Sequence, residues 1–338
     1  MNIGLYDVDG HNFPNLPLMK ISAYHKSKGD TVEFALPIKH YDRVYVSKVF
    51  GDEYTKMPGV CFNADEIIYG GTGFAITIEN GKEKYHFDRD PALPDEIEHI
   101  YPDYSLYPEY TKDTAYGFLT RGCCNNCDFC IVSKKEGSCS RKVASLSEWW
   151  SGQKNIVLLD PNILACPDRK ELLQQLIDSK AKVDFTQGLD ARFITPEVAE
   201  MLKQIKTKMW HFAFDFMANE SKIVSGLNTF REIVDPNPRI SVVYCLTNYN
   251  TTFWEDFYRI KMIKSVNFTP DVRIYRKASL PKRHILKDLQ RWCNNRFLYQ
   301  GIPNFWDYAP RKNGKTMKET YPEEYESCVQ HGLIKRSE

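Results

Sequence analysis

Short apolar runs alternate with one-sided apolar stripes along most of this chain. Residues 1–9 (MNIGLYDVD) form an apolar run of strand length. A turn with Gly10, Pro14 and Pro17 follows. Leu18, Met19, Ile21, Ser22 and His25 then mark a helical stretch that stops near Gly29. Residues 31–36, 43–49 and 66–69 read as further strands, the last ending in Gly70-Gly71-Thr72-Gly73. Strands alternating with helical segments predict a small Rossmann-like parallel α/β domain over residues 1–74. The pattern weakens over 75–112, where Glu79-Asn80-Gly81 predicts a hairpin turn. Pro91, Pro94, Pro102 and Pro108 punctuate a polar, tyrosine-bearing stretch expected to be a linker or a strap.

Beyond 112 the alternation resumes with longer units. Strands are predicted over 115–120, 155–160, 183–187, 210–216, 240–246 and 271–275. Helices are predicted over 169–179, 196–205, 221–234 and 253–263, and a short one begins at Ser147 and carries Trp149 and Trp150. Leu172, Leu173 and Leu176 share one helix face. Six strands with helical crossovers over 113–279 predict an α/β core shaped as a partial (β/α)6 barrel. That is too few strands for closure into eight, and chemistry is expected at the C-terminal mouth. Residues 280–338 form a basic, aromatic extension, with Arg283, Arg291, Arg296, Phe305 and Trp306, expected to be helical or irregular.

Composition narrows the class. The chain has 338 residues, 42% hydrophobic and 26% charged, with a formal charge of +1. Those values exclude a disordered or collagen-like chain and an overall basic field for nucleic acid. No run approaches the roughly 18 uncharged apolar residues of a membrane helix. Residues 1–9 carry no basic region and no cleavage site, so a cytoplasmic protein with no membrane association is expected.

Ten cysteines are the chemical oddity, and half of them fall between 123 and 139. Without an export signal, such clustering points to metal or redox chemistry rather than to disulfides. Cys123, Cys127 and Cys130 form a C-x3-C-x2-C pattern directly after a predicted strand. Three thiolates on a tight loop can hold three irons of a [4Fe–4S] cube and leave the fourth open to a small ligand. Two alternatives stay open. Cys124-x2-Cys127 is a zinc-knuckle spacing, so Cys123 or Cys124 with Cys127, Cys130 and Cys139 would suit zinc. The other alternative is a set of reduced structural cysteines, and Cys124 and Cys139 lie outside the three-cysteine pattern.

The segment Thr120-Arg121-Gly122-Cys123 to Cys130 resembles the signature of the radical S-adenosylmethionine superfamily. An aromatic residue, Phe129, stands before the last cysteine, and Arg121-Gly122 precedes the first, as is common there. By strand and helix pattern the resemblance covers residues 114–277. It implies Cys123, Cys127 and Cys130 as ligands of a [4Fe–4S] cluster. Its open iron binds S-adenosylmethionine, and one electron cleaves the sulfonium to give a 5′-deoxyadenosyl radical that abstracts hydrogen from a substrate. It also implies a flavodoxin- or ferredoxin-like electron donor.

Further cofactor-binding positions follow at the predicted strand ends. Asp160-Pro161-Asn162 stands where many members of the superfamily have Gly-Gly-Glu, so Asp160 or Asn162 would offer the oxygen acceptor for the methionine amino group; an Asx-Pro turn with a helix cap is the alternative. Gln187, Asp190 and Arg192 would hold ribose hydroxyls and a carboxylate, or form a structural ion pair. Asp215 sits in an apolar strand, where a carboxylate is costly without a partner. No side chain is assigned as catalytic in its own right.

Residues 1–74 resemble a truncated form of the cobalamin-binding domain that precedes many cores of this superfamily. Asp9-Gly10-His11 matches the first half of its D-x-H-x-x-G loop, Pro14 stands at the glycine, and Gly70-Gly71 matches its second element. A retained fold without bound cobalamin is the preferred reading. The rivals are a cobalamin-dependent methyltransferase and a non-catalytic zinc module that recognises RNA or protein. The substrate is open, and the aromatic, arginine-bearing extension makes a peptide or RNA conceivable.

Overall fold

The first strand, β1 (Asn2–Asp7), buries Ile3 and Leu5 completely. The computed structural model of the chain describes residues 1–10, 13–79, 82–311 and 314–334, so His11 lies outside the described residues. Helix α1 (Leu16–Ser27) starts at Asn15, whose Oδ1 accepts the Leu18 N–H at 3.2 Å and whose Nδ2 donates to Ser47 Oγ at 2.9 Å. Strands β2 (Thr31–Phe34), β3 (Tyr41–Ser47) and β4 (Ala64–Gly70) complete a parallel sheet in the order β2-β1-β3-β4. The alternation predicts this sheet, and the structure contains it.

Strands β5 (Ile76–Glu79) and β6 (Lys82–Tyr85) form the antiparallel hairpin expected there, while its turn residues Asn80 and Gly81 lie outside the described residues. The rest of this stretch is a strap rather than a loose linker. Its apolar anchors lie within the short helix α2 (Asp95–Glu98) and at the start of α3 (Pro108–Thr111). Ile97 packs with Ile3, Leu5, Leu18 and Ile21, and Tyr107 packs with Leu16 and Met19.

Next come β7 (Thr114–Gly117), β8 (Thr120–Arg121), α4 (Val132–Glu136), β9 (Arg141–Lys142) and β10 (Asn155–Leu158). The short helix expected at Ser147 is a single 3-10 turn, Leu146–Glu148. Helix α5 (Arg169–Ser179) buries Leu172, Leu173 and Leu176, and β11 (Lys182–Phe185) follows. Strand β10 pairs in parallel with β7 on one side and β11 on the other.

Contacts divide the chain into two units, Met1–Gln187 and Gly188–Glu338. The division falls inside the expected barrel region, not at 74, 112 or 279. In the second unit, α6 (Pro196–Lys203) begins with Thr195 as its cap and proline in its first turn. Then follow β12 (Lys206–Thr207), β13 (Trp210–Ala213), α7 (Glu220–Val234), β14 (Ser241–Thr247), α8 (Phe253–Ser265) and β15 (Thr269–Ile274). The strands β13, β14 and β15 run parallel, with β14 central. Gly226 lets α7 approach the preceding chain closely, since a Cβ there would lie 1.8 Å from the Ala191 carbonyl oxygen. The fold class is therefore α/β with parallel sheets. The six strands expected of a partial barrel are present, three parallel in each unit.

The extension holds α9 (Ile285–Asn294), α10 (Arg296–Gly301), α11 (Met317–Thr320) and α12 (Pro322–Gln330). Phe305 and Trp306 are buried and pack on Phe253 and Phe257 of α8. These two rings are core, which removes them as stacking surfaces for a single-stranded nucleic acid; Arg283, Arg291 and Arg296 stay exposed. Among the described residues no helix is long and apolar enough to cross a membrane.

One buried ion pair organises the second unit. Arg259 of α8 is 0% exposed; its guanidinium donates to the carbonyls of Phe214 (2.9 Å), Asp215 (2.8 Å) and Leu246 (2.8 Å) and pairs with Asp256. It thereby ties the carboxyl ends of β13 and β14 to the helix. Burial pushes the Asp256 carboxyl up from its ordinary value and Arg259 pulls it back. Replacing Arg259 with Met strands that carboxylate, and should lower the unfolding free energy by about 3–5 kcal/mol. Urea denaturation checks this, and Arg259→Met with Asp256→Leu should recover much of the loss.

Candidate functional site

In the first unit, β7 and β10 run side by side, and just past their carboxyl ends two segments meet: residues 119–121 and the Asp160-Pro161-Asn162 turn. Asp160 is 4% exposed and turns inward. Its Oδ1 accepts the Leu119 N–H at 2.8 Å, and its Oδ2 accepts the Thr120 N–H at 2.7 Å and the Thr120 hydroxyl at 2.6 Å. Burial pushes this carboxyl up to about 7, against the pull of those donors. Both oxygens are thus committed to the protein backbone and to Thr120. Through these bonds Asp160 clamps the chain that leads into the cysteines.

The cysteine segment leaves from β8 and returns on β9, which pair antiparallel through Thr120–Lys142 and Arg121–Arg141. Gly122 has φ +85°, and a Cβ there would lie 2.2 Å from the Cys139 carbonyl oxygen, so glycine is required where the two arms of the loop cross. The Cys123 N–H closes the same crossing on the Gly137 carbonyl at 3.1 Å. Arg121 is held by Glu136 of α4 at 2.8 Å and lies over the Phe118 ring at 3.9 Å, while Glu136 also accepts the Gly122 N–H at 3.1 Å.

Asn162 reaches the loop from below. It is buried; its Oδ1 accepts the Ala165 N–H at 3.3 Å, and its Nδ2 donates to Cys123 Sγ at 3.7 Å. Its carbonyl also accepts the Ser140 hydroxyl at 2.8 Å. The predicted Asx cap and a contact to the first cysteine of the motif are therefore both present in this one residue.

Within the loop, Cys123, Cys127 and Cys130 are half-buried, and Cys124 and Cys139 are exposed. The Cys130 N–H donates to the Cys127 carbonyl at 2.9 Å, and Asn126 takes a left-handed conformation, φ 46°. Phe129 is half-buried between the last two motif cysteines. None of the ten cysteines is in a disulfide. Among the described residues no three His, Cys, Asp or Glu side chains gather where a single metal ion could sit. A zinc ion would need four such ligands together, and a [4Fe–4S] cube would bind one iron to each of Cys123, Cys127 and Cys130.

The other expected residues divide between the two units. Gln187 is exposed at the end of the first unit. Asp190 and Arg192 belong to the second unit and form a two-pronged ion pair, Nε to Oδ1 at 2.8 Å and Nη2 to Oδ2 at 2.6 Å. The Asp190 side chain also accepts the Arg192 N–H, capping a 3-10 turn. Asp215, in that same unit, accepts the Leu246 N–H at 2.9 Å, and burial raises its carboxyl above the ordinary value while Arg259 opposes the shift. Two contributors escape sequence reasoning: Thr120, flagged only as part of the pre-cysteine segment, and Glu136, an acidic residue in a polar helix with no signal of its own. No protein-family model matches this chain, and no curated protein matches it.

The clamp predicts a stability effect. Asp160→Ala leaves buried donors at Leu119 and Thr120 without their acceptor, and should cost about 2–4 kcal/mol. A chemical denaturation midpoint equal to that of the unaltered protein would refute the clamp.

Proposed function

We propose that this chain is a radical S-adenosylmethionine enzyme acting on a substrate still to be identified. The observation that carries the reading is the loop. Cys123, Cys127 and Cys130 stand half-buried in the C-x3-C-x2-C spacing on a segment clamped beyond the carboxyl ends of two parallel strands. The βα series over 113–279 is read as the partial barrel of that superfamily, and its electron donor as a flavodoxin- or ferredoxin-like protein of the cytoplasm.

The three cysteines would hold a [4Fe–4S] cluster, and such a cluster supplies the electron that cleaves bound S-adenosylmethionine to a 5′-deoxyadenosyl radical. The chain's own contribution is positioning. Asp160 fixes the strand that enters the loop, Gly122 allows its two arms to cross, and Glu136 holds Arg121 and the Gly122 amide. Asn162 directs an N–H at Cys123 Sγ. Hydrogen bonds to ligand sulfurs tune the potential of an iron–sulfur centre, so this amide is suited to adjust it.

Anaerobic reconstitution with iron and sulfide should give a brown protein with about four irons per chain. Addition of dithionite and S-adenosylmethionine should then release 5′-deoxyadenosine. Cys127→Ala should lose both iron and product, and Cys124→Ala should keep the iron. A colourless protein that retains zinc, or iron loss in Cys124→Ala but not in Cys123→Ala, would sink the assignment.

A further inference from the structure

Beyond the carboxyl ends of β1 and β2 the first unit has an open-sided cavity of about 340 Å³. Small-molecule sites start near this size, and in open parallel sheets they form outside the carboxyl ends of the strands. Phe13, Phe34, Tyr107 and Tyr110 line it, together with Asp7 and with Tyr6, whose ring packs on Phe62. Among the described lining residues Asp7 is the only charged side chain.

The rings are set edge to face. Phe34 meets Tyr107 at 5.5 Å and Phe13 meets Tyr116 at 5.1 Å. Two of them are also conspicuously open to solvent, Phe13 at 47% and Phe34 at 41%. Asp7 takes one short bond, from the Tyr107 hydroxyl at 2.8 Å to Oδ2. Among the described residues its Oδ1 meets only long ones, from the Asp9 and Gly10 amides at 3.3 and 3.4 Å. A carboxylate accepts about four hydrogen bonds, so Oδ1 has capacity for a stronger donor.

We propose that this cavity binds a small aromatic amine, with its ring among the tyrosine and phenylalanine rings and its ammonium on Asp7. Aromatic faces attract both a ring edge and a cation, and the carboxylate adds a charge-assisted bond. The same carboxylate repels phosphates and carboxylates, which sets the ligand apart from nucleotides and acidic metabolites. The site rests on residues separate from the cysteine loop, and it stands whether or not that loop carries a cluster.

The test uses the full chain and two probes of similar shape and opposite charge, tryptamine and indole-3-acetate, in isothermal titration at neutral pH. Tryptamine should bind saturably, one per chain, at least tenfold more tightly than indole-3-acetate. Asp7→Asn keeps an acceptor for the Tyr107 hydroxyl and removes the charge, and should weaken tryptamine about tenfold. Phe34→Ala alters an exposed side chain and should weaken it severalfold; it decides the matter alone if Asp7→Asn does not fold. The absence of saturable tryptamine binding, equal affinity for the two probes, or unaltered affinity in the folded variants would each overturn the proposal.

Discussion

A buried carboxylate that grips the backbone of a neighbouring segment determines where the cysteine loop begins. Asp160 spends both oxygens on Leu119 and Thr120, just past the strand that the loop leaves. Without those bonds the two amides would face the interior with no acceptor, because the chain turns away from β10 at that point. Two residues on, Asn162 touches Cys123 and accepts Ser140, so a single three-residue turn holds both the departing and the returning arms. The loop is short of internal regular structure, and its shape is imposed from this base. That explains how a mostly irregular segment with half-buried thiols can present them in a fixed order.

The base is itself braced from the N-terminal sheet. Lys20 of α1 pairs with Glu98 at 3.0 Å, Glu98 meets Arg121 at 3.4 Å, and Arg121 meets Glu136 at 2.8 Å. Burial lowers the Lys20 pKa and Glu98 opposes that shift, as expected for a charge retained because it has a partner. On the far side of α4, Lys135 pairs with Asp90 at 3.0 Å. Tyr104 of the strap accepts the Tyr116 N–H at 3.2 Å and donates to the Trp149 carbonyl. These ties, and not only the apolar anchors Ile97 and Tyr107, account for one contact unit that runs from Met1 to Gln187.

Much of this was legible in the residues because periodicity reports burial. Helix α5 and the strands β1, β10 and β14 follow from apolar spacing alone, since each has one face or both faces in a core. The two-residue strands β8 and β9 were not legible, because two residues carry no period. Nor was the role of the Asp-Pro-Asn turn: the sequence places a carboxylate at a strand end, and a ligand contact and a backbone clamp look alike there. The clamp depends on tertiary donors at Leu119 and Thr120, some forty residues earlier, which no local pattern reveals. Phe305 and Trp306 show the converse. An aromatic, basic extension suggests an exposed binding face, yet its rings fill a core against α8 and only its arginines remain outside.

The two buried charge systems illustrate one principle at different cost. Arg259 and Asp256 satisfy each other while the guanidinium also closes three carbonyls, so the pair serves as a junction between strands and helix. Asp160 has no cation among its hydrogen-bond donors, and it stabilises its segment with neutral donors alone. A carboxylate so placed is an expensive way to fix a backbone, and an apolar residue would suffice if only packing mattered. Its presence is explained when the fixed backbone has to hold a position more exact than packing gives, as the loop would have to if, on the function proposed above, it presents three thiols to one inorganic centre.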